Sequence, residues 1–261
     1  MAHILVGSHV PRQNAATEAE LRGAAALQIH TSAPRNWAAP IPRGDENALA
    51  ASPTPVFVHA PYLINPAASN PELRTRSRAC LEAEAAAADI LGAVGLVVHA
   101  GHPTGGGGVG DAVARWVATL DGLTLPCRIL VENTASGVNS PGRSADTLTA
   151  LVQALREAGH DVGVTFDTCH AWAAGQDPVS MAERLADTVG IDLVHANNSR
   201  DPFGSGRDRH ANLCDGTIPN GTLIAAVAAA EAPAAVVETP GGSAAQTADV
   251  NWLRRHLNPQ H

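Results

Sequence analysis

Short apolar or β-branched runs recur along the chain, each followed by a polar or glycine-containing turn and then a longer stretch with helical spacing of apolar residues. Eight runs read as strands: ILVGSH (4–9), ALQIHT (26–31), VFVHAP (56–61), LVVHAG (96–101), RILVENT (128–134), GVTFDT (163–168), DLVHAN (192–197) and AVVETP (235–240). Helices are expected between them over 71–92, 111–120, 144–158, 178–189, 221–230 and 244–257. Several of these open with Pro, Ser or Asp near the first turn, as helix starts do. Strands alternating with helices predict parallel β/α units. Eight of them in 261 residues, with no linker-like stretch, predict an α/β protein whose single domain, 1–261, is a (β/α)8 TIM barrel. An open doubly wound sheet is the alternative.

Nearly every expected strand ends in a metal-capable or strongly polar residue: His9, His30, His59, His99, Glu132, Asp167, His195 and Glu238. In a TIM barrel those ends converge on the face where such proteins do chemistry. Imidazoles and carboxylates are costly to bury together unless they are paired or hold metal. The candidate ligands are His59, His99, Glu132, Asp167, His170, His195, Asp208, His210 and Glu238. They include no thiolate, which suits zinc, manganese or iron in open sites rather than closed structural ones. Taken singly, each His is more readily a hydrogen-bonded core or turn residue; the set carries the inference. In RDRH, an extended backbone would point Asp208 and His210 the same way, with Arg207 and Arg209 turned away or toward phosphates.

Composition narrows the chemistry. The chain has no lysine, so its 17 basic residues are all Arg. Schiff-base aldolases, lysine-linked pyridoxal phosphate and the P-loop lysine are thereby excluded. No apolar run is long enough to span a bilayer and the start lacks a secretory signal, so a cytoplasmic location is expected. Four cysteines form no CxxC pair and are expected to be reduced. Cys169 in DTCH has a His beside it only in sequence, which does not make a nucleophile, and is read as a packed small residue. GGGG (105–108) lacks the Lys-Ser/Thr of a phosphate loop and is expected to be flexible, so no nucleotide cofactor is expected. The formal charge of −8 argues at first against nucleic acid.

HAPYLIN (59–65), VENTASG (131–137), FDTCHAWAAG (166–175), HANNSRDPFGSGRDRH (195–210) and VVETP (236–240), in this order and approximate spacing, resemble the signature segments of endonuclease IV, the family-2 apurinic/apyrimidinic endonucleases. The resemblance covers nearly the whole chain. It implies a TIM barrel with three zinc ions, Mn2+ or Fe2+ being possible replacements. His59 and His99 would hold the first ion, bridged by Glu132 to a second that Asp167, His195 and Glu238 also hold. His170, Asp208 and His210 would hold the third. It further implies that Arg35, Tyr62 and Leu63 enter duplex DNA at an abasic site; the plain alternative makes Arg35 a surface charge and the other two core. Asn198, where an acidic residue is usual, Pro66 after LIN, and the absence of a Gly-rich loop after HV depart from the family pattern.

The resemblance implies a monomer that hydrolyses the phosphodiester 5′ to an abasic site in double-stranded DNA, leaving a 3′-hydroxyl and a 5′-deoxyribose phosphate. Glu132, Asp167 and Glu238 would be catalytic, positioning the attacking water between the bridged ions, while Arg35, Arg207 and Arg209 face phosphates. Three divalent ions would bring the formal charge from −8 to near −2, which removes the objection to DNA. Two rivals remain at this level: a single-metal xylose-isomerase-like sugar isomerase using Glu132, Asp167, His195 and Glu238, and a non-catalytic damaged-DNA-binding barrel.

Overall fold

A computed structural model describes residues 3–258. Its frame is a closed parallel barrel of eight strands: β1 (Leu5–His9), β2 (Leu27–Ile29), β3 (Val56–His59), β4 (Gly95–His99), β5 (Ile129–Glu132), β6 (Val162–Asp167), β7 (Leu193–His195) and β10 (Ala234–Val237). β10 pairs with β1 and closes the ring, so the open-sheet alternative falls. Helices pack outside it: α1 (Ala15–Leu21), α2 (Glu46–Ala50), α3 (Pro71–Ile90), α4 (Val109–Leu120), α5 (Ala145–Glu157), α6 (Thr168–Ala174), α7 (Pro178–Thr188), α8 (Asn220–Ala229) and α9 (Gly242–Leu257). Among the described residues no helix is long and apolar enough to cross a membrane.

Alternation along the strands sorts side chains into two buried layers. Val56, Val58, Leu96, Val98, Ile129, Val131, Ala235 and Val237 face the helices. Phe57, Val97, Leu130, Leu193 and Val236 fill the barrel. Leu130 needs small neighbours there, because a Cβ on Gly95 or Gly163 would come within 3 Å of it. Two residues beyond each interior side chain stands His59, His99, Glu132, His195 or Glu238. The period that fills the barrel with Phe, Val and Leu therefore aims these five groups inward at its mouth.

The strands are shorter than the sequence suggests, because the last residues of each apolar run leave the ladder and turn over the mouth. Thr168, expected to end a strand, is instead the first residue of α6. Asp167 caps that helix, with Oδ1 accepting from His170 N at 2.7 Å, and Gly175 (φ 78°) ends it. The short helices α1 and α2 and the hairpin β8 (Asn198–Ser199) with β9 (His210–Ala211) are additions to the expected elements; each is too short to leave a periodic signal in the sequence. The GGGG loop is held rather than free. Arg115 donates to Gly106 O (3.3 Å), Asn139 to Gly107 O (2.9 Å), and Gly108 N to Asp111 (2.8 Å).

Candidate metal centre

All nine expected ligands meet at the barrel mouth. His59, His99 and Glu132 form one group; Glu132, Asp167, His195 and Glu238 form a second; Asp167, His170 and His210 form a third. Within each group the ligand atoms lie within 4.8 Å of one another. Asp208 sits between the two imidazoles of the third, 3.2 Å from His170 Nε2 and 3.1 Å from His210 Nε2. Glu132 joins the first two groups. Its Oε2 is 3.2 Å from Nε2 of both His59 and His99, and its Oε1 is 2.9 Å from His195 Nδ1.

Three of the imidazoles are oriented by partners on their far sides. His59 Nδ1 donates to Ala60 O (2.7 Å) and His170 Nδ1 to Asn133 O (2.9 Å). His195 Nε2 donates to Gln28 Oε1 at 2.8 Å; the amide nitrogen of Gln28 is committed to Glu238 Oε1 (2.7 Å) and His9 Nδ1 (2.9 Å). A neutral imidazole that donates outward leaves a lone pair on its other nitrogen, here aimed at carboxylates. That arrangement is repulsive unless a proton or a cation lies between. His210 Nε2 is buried without a hydrogen-bond partner, although Asp208 Oδ1 lies 3.1 Å away. Inward-facing nitrogens and carboxylates with backed imidazoles are a donor set that fits divalent zinc or a similar ion.

The carboxylates accordingly favour positive charge on these imidazoles. Burial would lower His195 and His210, yet the surrounding carboxylates hold both up at about 9. His170 is held well above its ordinary value, against burial, by Asp167 and Asp208. Burial would likewise raise Glu132, Glu238 and Asp208, but adjacent imidazoles hold all three well below the usual carboxylate range.

Three amides absent from the expected ligand set complete the site. Gln28 backs His195 and Glu238. Asn197 Nδ2 donates to Asp167 Oδ2 (2.7 Å), and its Oδ1 accepts from Glu238 N (2.9 Å). Asn133 brackets the backbone of Asp167, accepting from its N–H (2.6 Å) and donating to its carbonyl (3.0 Å). Asn133 and Asn197 lie beside expected ligands in the quoted motifs; Gln28, a polar residue inside an apolar strand, carried the one signal available for it. His9 and His30 reach the mouth but join none of the three groups. His30 is pushed down to about 3 by burial and by His9 and His59.

Arg35, Tyr62 and Leu63 are all exposed, so the core alternative fails for the last two; Tyr62 is 47% accessible and Leu63 36%. Their loops are tied by Tyr62 N donating to Pro34 O at 2.9 Å. Tyr62 also lies parallel over His99, with centroids 5.7 Å apart. Arg207 and Arg209 stay largely exposed while gripping the buried Asp201. Arg207 reaches it at 3.4 Å, and Arg209 Nε donates to it at 2.7 Å. Cys169 is fully buried, its thiol pushed up to about 12 by burial first and Asp167 second; its sulfur nonetheless lies near Asp208 and His210. Asn198 is buried, donating to Leu213 O (2.7 Å) and Ile218 O (3.1 Å) and accepting from Ile218 N (2.8 Å). A carboxylate could not make the two donations, so this position calls for an amide.

The family described as xylose isomerase-like TIM barrel matches residues 18–256. A probable endonuclease 4 of Mycobacterium ulcerans is 42% identical over 256 residues, 98% of this chain and 100% of that protein. The crystal structure of endonuclease IV from Thermus thermophilus superposes with a TM-score of 0.81 at 28% identity, over 98% of this chain and 100% of that one. A D-tagatose 3-epimerase-like protein shares the fold, with a TM-score of 0.75 at 19% identity over 96% and 97% of the two chains. The chain belongs to the endonuclease IV family of the xylose isomerase-like TIM barrels.

Proposed function

We propose that the protein is a monomeric DNA-repair endonuclease that hydrolyses the phosphodiester 5′ to abasic sites in duplex DNA, using three zinc ions held by the nine mouth residues. The observation that carries this reading is the junction of three ligand groups, with Glu132 shared between the first two and Asp167 between the second and third. A single-metal sugar isomerase would need only Glu132, Asp167, His195 and Glu238, and would leave the other five unused. A non-catalytic DNA-binding barrel has no use for such a set at all. The names borne by the mycobacterial and Thermus relatives support a nuclease.

When bound, the ions supply Lewis acidity that lowers the pKa of water toward about 7 and neutralises phosphate charge. Glu132 turns one oxygen to each of two groups and would bridge them. Glu238, steadied by Gln28 on Oε1, and Asp167, steadied by Asn197 on Oδ2, would hold water and phosphate in line. Arg35, Tyr62 and Leu63 would enter the duplex beside the lesion, and Arg207 and Arg209 would meet its backbone. The absence of lysine disfavours the amine-dependent lyase route to the same nick.

Incubation with a duplex carrying one tetrahydrofuran abasic analogue, with and without prolonged chelation, tests the reading. That analogue resists β-elimination, so metal-dependent nicking means hydrolysis. Absence of nicking by protein that contains three metals per chain sinks the proposal, and sugar isomerisation with one bound metal establishes the rival.

A further inference from the structure

We propose that His102, which is not among the nine ligands, is a substrate-contacting residue whose imidazole donates a hydrogen bond to a non-bridging oxygen of a DNA backbone phosphate. The inference rests on the endonuclease reading. It starts from a cavity of about 180 Å3 beside the ligand groups, lined by His99, His170 and Asp208 together with Tyr62, His102 and Ser136.

The backbone under His102 is locked from several sides. The Asn65 side chain holds both of its peptide groups: Oδ1 accepts from His102 N (3.1 Å) and Nδ2 donates to His102 O (2.9 Å). Gly101 adopts φ 66°, and a Cβ there would stand 2.2 Å from Asn65 Oδ1. Ser140 Oγ donates to Gly101 O at 2.6 Å. Gly137 (φ 102°) presses its bare Cα face against the root of the imidazole, where a Cβ would lie 2.7 Å from His102 Cβ.

In contrast, the ring of His102 is exposed and makes no hydrogen bond or ion pair among the described residues, unlike the rings of His59, His170 and His195. The hydrogen bonds and the Gly137 contact fix the backbone and Cβ of His102, which restrains the ring at a cost in conformational entropy that no partner of its nitrogens among the described residues offsets. A preformed donor beside a ligand is the arrangement that lowers the cost of binding. The acceptor that fits is a phosphate oxygen. The cavity continues from the groups that would hold the scissile phosphate, an abasic nucleotide offers no base edge, and backbone phosphates recur at each step along the strand.

The test measures kcat, KM and metal content for metal-loaded wild type, His102→Asn and His102→Ala. The substrates are tetrahydrofuran duplexes, each with a methylphosphonate at one position flanking the lesion. His102→Ala should raise KM about tenfold while kcat stays within about twofold, in line with loss of a hydrogen bond to a charged group. Bound metal should be retained, and His102→Asn, which keeps an N–H, should lose less. At one phosphate, methylphosphonate should raise KM for wild type and add nothing in His102→Ala. An unchanged KM in His102→Ala, a loss confined to kcat or to metal content, or equal costs at all positions in both proteins overturns the inference while leaving the endonuclease reading intact. Failure of wild type to nick the unmodified duplex removes both.

Discussion

The side-chain carbonyl of Gln28 lies 2.8 Å from Nε2 of His195, and this contact turns His195 Nδ1 toward Glu132 and Glu238. Gln28 also holds Glu238 by its amide nitrogen, so one strand residue orients two members of the second ligand group. Replacing such an outer partner typically costs about 10–100-fold in metal affinity or activity. Gln28→Leu should lower the affinity of one ion by that factor while the other two stay bound, as read by chelator competition with metal analysis.

Asp167 caps α6 and faces two ligand groups. Asp167→Asn preserves the capping acceptor, since Asn caps helices about as well as Asp, and removes the charge. The cap is therefore kept, but the metal-free protein should melt lower at pH values where His170 and His210 are protonated, because Asp167 is one of the carboxylates that hold both up. Cleavage should fall by more than the roughly 100-fold that loss of an outer partner can cause. His170→Ala should chiefly deplete the third ion. Metal stoichiometry beside single-turnover cleavage separates the two outcomes.

Cys169→Ser should leave cleavage and metal content intact. The thiol is buried and pushed up to about 12, so it is neither a ready nucleophile nor a ready ligand. Thiol reagents should label the exposed Cys214 in the folded protein and spare Cys169. Loss of one metal in the Ser variant would show that the sulfur near Asp208 and His210 takes part in the third group.

The metal-free protein should lose stability as pH rises from about 6.5 to about 9. His195 and His210 are held at about 9 when folded, against 6.5 ordinarily, so the folded state binds more protons across that window. Their contribution is complete below the lower value and gone above the higher one. Metal in place of those protons should flatten this slope. Melting temperatures measured across the window, in chelator and in saturating metal, check the sign; a rising slope in chelator would contradict it.

Arg207→Ala should weaken DNA binding evenly across sequences and reduce the steepness of the salt dependence by about 0.9 if one phosphate contact is lost. Arg209→Ala should do the same and also loosen the loop that carries Asp208, because Arg209 makes the bidentate contact to Asp201. Loss of metal in the second variant only, measured beside the salt titration, is the expected distinction.

Much of the barrel was legible because long elements repeat their period. The 20 residues of α3 and the 13 of α5 show several turns of spacing with Pro or Ser at their starts. The 7-residue α6 and the two-residue β8 and β9 do not, and they decide how His170 and His210 come to face each other across Asp208. Tyr62 and Leu63 illustrate the same limit. Their residue types suit a core as well as a surface wedge, and only the loop tied to Pro34 leaves them outside.

By itself the sequence determined the strand order of chemistry: which runs are strands, and that the residues at or just past their ends are imidazoles and carboxylates without a lysine. Alternation along a strand is local, so His59, His99, Glu132, His195 and Glu238 share the inner face of any closed barrel built from these runs. Closure decided the rest. It set Gln28 of β2 against His195 of β7, 167 positions away, and brought the amides of Asn133 and Asn197 to bear on Asp167. Such partners are chosen by distance across the barrel mouth, a quantity that no periodicity along the chain records.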